Sequence, residues 1–427
     1  MAKLYTFFAA FLLGSFAFAQ NYTDGIFVLN EGGAGSYNAS VSFIQNGTVT
    51  NSLLATNDLE TTLGNVGQSM GFYGDNTYIV LNMSNKVEVV NKVTLEHVAT
   101  IDAGLNNPRF IAFSNGKAFV TNWGNGLDDN DDYVAVIDTA TNTIETNIAT
   151  AVGVERIEEI NGKLYVAHQG GYGYGNSISV IDPVSLAVEQ TITVGDVPNS
   201  MVVKDGFLYV LCGGKPMWAP QETFGEIDKI DLSTNTVVSL IETPLQHPQH
   251  LKGGEGNYVY YAIDEEVFKA DVTAEQLPSE PIFSLGAQGV YGIYGMDVID
   301  NVVYVADAGN YVSPGQVYVY DANGAPLANY TVGVIPNSFY KSAGSTAGVT
   351  NPVAALKITV APNPATDLFY INTTDAATVK IYNTQGRLVK DEVYTAAGIS
   401  VEGITAGVYF VQVTTAKGTG VQRLAIK

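Results

Sequence analysis

The stretch that decides the fold reads NGKLYV at 161–166 and then ISVIDPVSLAVEQTITVGDVPNSM at 178–201. Its Asn-Gly pair accepts the positive φ of a tight hairpin turn. A β-rich run follows, then a second run closing on Asp182, a residue suited to start a turn, then a third run leading into PNSM. The opening phrase recurs as DGIFVL at 24–29, GDNTYIV at 74–80, NGKAFV at 115–120 and DGFLYV at 205–210, with weaker copies GNYVYY at 256–261 and DNVVYV at 300–305. The second phrase returns as VAVID at 134–138, IDKID at 227–231 and VYVYD at 317–321. Seven copies at a spacing of about 40–50 residues, each with four strands, predict an all-β chain folded as a seven-bladed β-propeller.

The phase of the repeat predicts how the ring closes. The first unit begins at its second strand, near Asp24, whereas the seventh ends on an additional inner-strand phrase, PNSF at 336–339, that matches PNSM at 198–201. The C-terminal strand is therefore expected to complete blade one and remove the open edges of the sheet. The expected organisation is a signal peptide at 1–19, the propeller at 20–341, a Ser-, Gly-, Ala- and Thr-rich linker at 342–356, and a small Ig-like β-sandwich at 357–427. Strands of that last unit are expected at 358–360, 368–372, 378–382, 387–393 and 407–413.

Lys3, the apolar run to Phe18 and the Ala17-Phe18-Ala19 site before Gln20 form the signal-peptide pattern. The run is too short to span a bilayer, no other segment is long and apolar enough to do so, and no cysteine follows the cleavage site to carry a lipid. A formal charge of −22, from 42 acidic and 20 basic residues, argues against a nucleic-acid partner. With Cys212 as its single cysteine the chain holds no internal disulfide. A monomer is expected.

Candidate ligand-binding residues come from the loops between the second and third strands of each blade and from the segments between blades. The loops at 122–132, 168–176, 212–224 and 307–315 are long and rich in aromatics and amides. They supply Asn122, Trp123, His168, Tyr172, Tyr174, Trp218 and Tyr311. The connecting segments add Arg109, Arg156, Asn199, His250 and Tyr294. Flat aromatic faces beside amide and guanidinium donors suit a wide, amide-fringed small molecule, a peptide or a glycan. Asp128, Asn130 and Asp132, with Asp129 and Asp131 between them, offer hard oxygen ligands for calcium, although the run lacks the Gly and the bidentate Glu of a hand-type loop. No G-x-S-x-G nucleophile motif occurs, and a non-enzymatic role is favoured. A calcium-dependent lactonase built on Glu155, Asn199 and Asn337 stays open as an alternative.

The repeats resemble the YVTN-type, YncE-like propellers over about residues 24–340. The seventh unit, GQVYVYDANGAPLANYTVGVIPNSF at 315–339, is similar to a subgroup found on Bacteroidetes cell surfaces. Some members of that subgroup capture cobalamin for an outer-membrane transporter, so the resemblance implies cobalamin as the ligand. Those members are lipoproteins, whereas this chain has no lipid-bearing cysteine. The end of the chain resembles the type A sorting domain of type IX secretion through PNP at 362–364, Ile381-Tyr382, Gly386-Arg387, GVYF at 407–410 and the basic terminus at Lys427. That resemblance implies the type IX machinery as a partner, and a mature product that is secreted or held on the outer-membrane surface.

Overall fold

A computed structural model describes residues 21–54, 63–126, 128, 130–243, 246–344, 358–373, 377–383, 388–395, 397–415 and 418–427. The signal peptide, most of the linker, Asp129 and the Gly386-Arg387 pair lie outside the described residues. The chain divides into two compact units, 1–344 and 345–427.

The first unit is a seven-bladed propeller whose blades are four-stranded antiparallel sheets. The inner strands of blades one to seven are Pro336–Lys341, Gly67–Tyr73, Pro108–Ser114, Val154–Ile160, Pro198–Lys204, Gln249–Gly253 and Gly295–Ile299. Each lies beside the next, and the seventh touches the first, so they line one central channel. The ring closes as the phase of the repeat predicts. Pro336–Lys341 pairs with Ile26–Asn30, matching Ile26 to Lys341 and Val28 to Phe339, and blade one is thus assembled from both ends of the unit.

Local chemistry sets the turns. Asn46, Asn115, Asn161 and Asp205 adopt positive φ, as do the glycines that follow them, which is the backbone of the two-residue hairpin. At the next corner the side-chain oxygen of Asp138 accepts the N–H groups of Ala140 and Thr141, and that of Asp182 accepts those of Val184 and Ser185. These bonds hold the Asp138 carboxyl below its usual range, and at Asp182 the Lys163 hydrogen bond, with the two backbone N–H bonds beside it, does the same.

The blades cohere through seven apolar clusters, one at each interface between neighbouring blades. The tyrosine of the repeated phrase adds a polar latch. Tyr78 donates to Asn142 Oδ1 at 3.0 Å, Tyr165 to Asn235 Oδ1 at 2.6 Å and Tyr260 to the Ala322 carbonyl at 2.9 Å, each acceptor lying in the outer turn of the next blade. Blade six departs from the pattern: its outermost strand is only Phe283–Ser284.

The second unit is a small β-sandwich with sheets of three and four strands. Its core contains Phe369, Ile381, Val411 and Leu424. It has a strand at Gly418–Ile426 that the sequence reading omits, because the Gly-Thr-Gly start breaks the alternation.

Phe339 is buried between blades seven and one, against residues that include Val28 and Val317. Phe339→Ala is expected to lower the stability of the propeller by about 3–5 kcal/mol. Denaturant titration followed by tryptophan fluorescence measures the change.

Candidate functional site

Gln68, Arg109, Glu155, Asn199 and Asn337, each the second residue of its inner strand, and Tyr294, just before the seventh, stand at the mouth of the channel, on the end that carries the long loops. Five interfaces there are bridged by polar contacts. Asn337 Nδ2 donates to the Gly67 carbonyl at 2.8 Å, and Asn199 Nδ2 to the Pro248 carbonyl at 2.9 Å. Arg109 donates through Nη1 to Gln68 Oε1 at 2.8 Å and through Nε and Nη2 to the two carboxylate oxygens of Glu155 at 2.9 and 2.8 Å. Tyr294 closes the set by donating to Glu31 Oε2 at 2.7 Å.

This network is electrostatically self-contained. Burial works against the Arg109 charge, but Glu155 and Glu31 outweigh it and raise the guanidinium pKa further. Burial pushes the Glu31 carboxyl up, opposed by the Tyr294 hydrogen bond and by Arg109. The Trp123 ring lies 4.2 Å from the Arg109 guanidinium, donates Nε1–H to the Val154 carbonyl at 2.8 Å, and meets Tyr172 edge-on at 5.8 Å.

The predicted residues separate into four groups. Asn122 and His168 are fully buried inside their blades, where Asn122 donates to the Val120 carbonyl and His168 bridges the Ala151 carbonyl and Ser179 Oγ. Neither reaches the loop surface, because at the end of a second strand the side chain is enclosed by the neighbouring sheet. Arg109, Trp123, Asn199 and Tyr294 are at the mouth, with their donors used within the protein. Tyr172, Tyr174, Trp218 and Tyr311 are exposed, Trp218 at 80 %. Arg156 and His250 line the channel.

Among the described residues of the acidic loop, Asp128 and Asp132 accept from separate protein donors. Asp128 accepts both N–H and Nδ2–H of Asn130, whereas Asp132 is buried and accepts the Gly153 N–H at 2.8 Å. Among the described residues no group of three or more His, Cys, Asp or Glu side chains is arranged to hold a metal. Glu155 is clasped by Arg109, and the Asn199 and Asn337 amides hold neighbouring backbone, so this donor set is committed to the fold.

Several exposed aromatics and methionines add to the predicted set. Tyr37, Met83, Met217, Phe224 and Tyr291 join Tyr172, Tyr174, Trp218 and Tyr311 on the loop end. Of the exposed Trp, Tyr, Phe and Met residues in the propeller, only Tyr73 and Tyr258 sit at the opposite end. Beside Phe224, Asp196, Glu226 and Glu242 line a pocket, and Asp228 lies next to Glu226. Burial, then Asp228, Glu242 and Asp196, push the Glu226 carboxyl up to about 7.

Residues 24–344 match the family described as a domain of unknown function, DUF5074, and residues 359–427 match the secretion system C-terminal sorting domain. No curated protein matches the sequence. Among solved structures, a quinonprotein alcohol dehydrogenase-like protein from Bacteroides thetaiotaomicron superposes with a TM-score of 0.55 at 16% identity, covering 75% of this chain and 78% of that one. Kuenenia stuttgartiensis hydrazine synthase gives a TM-score of 0.50 at 15% identity, covering 69% of this chain and 91% of that one. At these identities the likeness concerns the fold alone. The sorting domain marks the chain for type IX export, to the cell surface or the medium.

Two outcomes are expected. Glu155→Gln leaves the buried Arg109 charge without its carboxylate and costs about 3–5 kcal/mol in urea denaturation. The raised Glu226 pKa means that the folded state keeps a proton the unfolded chain has released, so its contribution to stability is lost as pH rises from about 4.5 to about 7. Melting temperatures taken across that window should fall less in Glu226→Gln than in the parent.

The match across residues 24–344 takes in all seven blades, and the chain belongs to the DUF5074 family.

Proposed function

We propose that the chain is a surface-displayed or released propeller that captures a ligand on its loop end, and that cobalamin or a related corrinoid is that ligand. In this reading residues 1–19 are removed at the inner membrane, 20–341 form the binding unit, and 342–427 serve export as linker and sorting domain. The observation that carries it is the segregation of exposed aromatics to one end of the ring, around a mouth whose charges are internally paired. A large, mostly uncharged ligand with an apolar plane suits that surface better than an ion does, since the Arg109 charge is already matched by the bidentate Glu155 carboxylate. Tyr172, Tyr174, Trp218 and Tyr311 then supply the contacts, and Trp123 and Arg109 hold Tyr172 in place from beneath. The sorting domain places such a site outside the cell, where a scarce nutrient is met.

Calorimetric titration of cyanocobalamin into the mature chain tests this. Saturable binding at nanomolar affinity is expected, and Trp218→Ala and Tyr172→Ala should each weaken it about tenfold, or about 1.4 kcal/mol, with the melting temperature unchanged. Absence of heat and of a spectral shift at micromolar concentration overturns the cobalamin reading and assigns the same end to a peptide or a glycan.

A further inference from the structure

The channel contains a second constellation, separate from the loop surface. Its inner strands enclose a cavity of about 280 Å³ with four charged side chains in its lining, Arg156, Glu158, Lys252 and Asp297. Lys252 and Asp297 pair at 2.9 Å and neutralise each other. Arg156 and Glu158 form no hydrogen bond and no ion pair among the described residues, although both face the lumen. The Arg156 guanidinium carbon lies over the Phe110 ring, 4.0 Å from its centroid, a contact that leaves the N–H fork open. His250 adds no third cation: burial, Arg156 and Lys252 hold its pKa down to about 3, so the ring is neutral.

One unpaired cation and one unpaired anion therefore share a confined space, two residues apart on one strand and separated by roughly 6–7 Å along it. A simple anion placed there would meet Glu158, and a simple cation would meet Arg156. A molecule carrying both charges meets complementary partners at each end. Glu158 is exposed to the lumen; crowding by the surrounding strands pushes its pKa up, opposed by the nearby Lys252 and Arg156 charges. We propose that the channel is a binding site for a small zwitterion of the α-amino-acid class, its carboxylate on the Arg156 fork and its ammonium on Glu158. The volume is at the small end of ligand pockets and admits a molecule of that size but not a corrinoid.

The test is calorimetry on the mature chain with L-alanine as probe, and with acetate and methylammonium as its two halves. L-Alanine is expected to saturate with a Kd below about 1 mM, at least about tenfold tighter than either half. Arg156→Lys keeps the charge but loses the fork, and should weaken L-alanine and acetate together. Glu158→Gln should weaken L-alanine about tenfold while acetate binds as well or better, because a like charge has been removed. That opposite response of the two probes is one that a purely structural role for Glu158 does not produce. Cyanocobalamin binding to Glu158→Gln should match the parent, which separates this site from the loop end. No saturable L-alanine binding up to about 10 mM, or equal binding by both variants and the parent, overturns the proposal.

Discussion

The structure depends on each blade being packed on both faces. A single four-stranded sheet in this chain cannot stand alone, because its second and third strands are apolar on both sides. The run Tyr258–Ile263 is buried at five of its six positions, and Ile26–Asn30 at all five. Each blade must bury one face against the blade before and one against the blade after, and a linear array would leave two faces open. Pairing of Pro336–Lys341 with Ile26–Asn30 removes both ends at once, and the cluster around Phe339 seals the last interface. With one cysteine and no disulfide, that closure is what packing has to secure.

Ring closure also separates stability from recognition. One end of the propeller carries short turns whose Asn, Asp and Gly residues satisfy fixed backbone conformations. At the other end the loops are released from that demand, and there the exposed aromatics collect. The mouth between them is braced by side chains that bridge adjacent blades, Arg109 to Glu155 and Tyr294 to Glu31 among them. A rigid rim under adaptable loops is the arrangement in which binding surfaces are usually built.

Much of the fold was legible because its determinants are local. Asn161-Gly162 and Asp205-Gly206 announce hairpins through conformations that few other residues adopt, and Asp182 announces its turn through its own side-chain hydrogen bonds. The closure was legible from a mismatch in phase between the two ends. The candidate site was less so, because the sequence names a side chain without saying whether its donors are already spent. Trp123 and Arg109 have the chemistry of ligand contacts, yet one donates to Val154 and the other to Glu155 and Gln68. His168 and Asp132 lie at the ends of loops and turn inward to satisfy buried partners. Glu31 and Gln68 were invisible for the converse reason. Their role comes from partners that are 263 and 41 residues away in the chain, and no local pattern marks it.

The same distinction between spent and unspent groups sets the channel apart from the mouth. Equivalent strands supply both, yet at the mouth the charged side chains find hydrogen-bond partners across blade boundaries, whereas deeper in, Arg156 and Glu158 find no hydrogen-bond or ion-pair partner among the described residues. Packing explains the first: a bidentate Arg109–Glu155 contact ties blade three to blade four and stabilises the ring. It gives no account of the second, since neither side chain closes a hydrogen bond or an ion pair across a blade boundary among the described residues. Arg156 rests over Phe110 of blade three, a contact that holds its position without satisfying its N–H donors, and a charge so held is what a preformed polar ligand site requires.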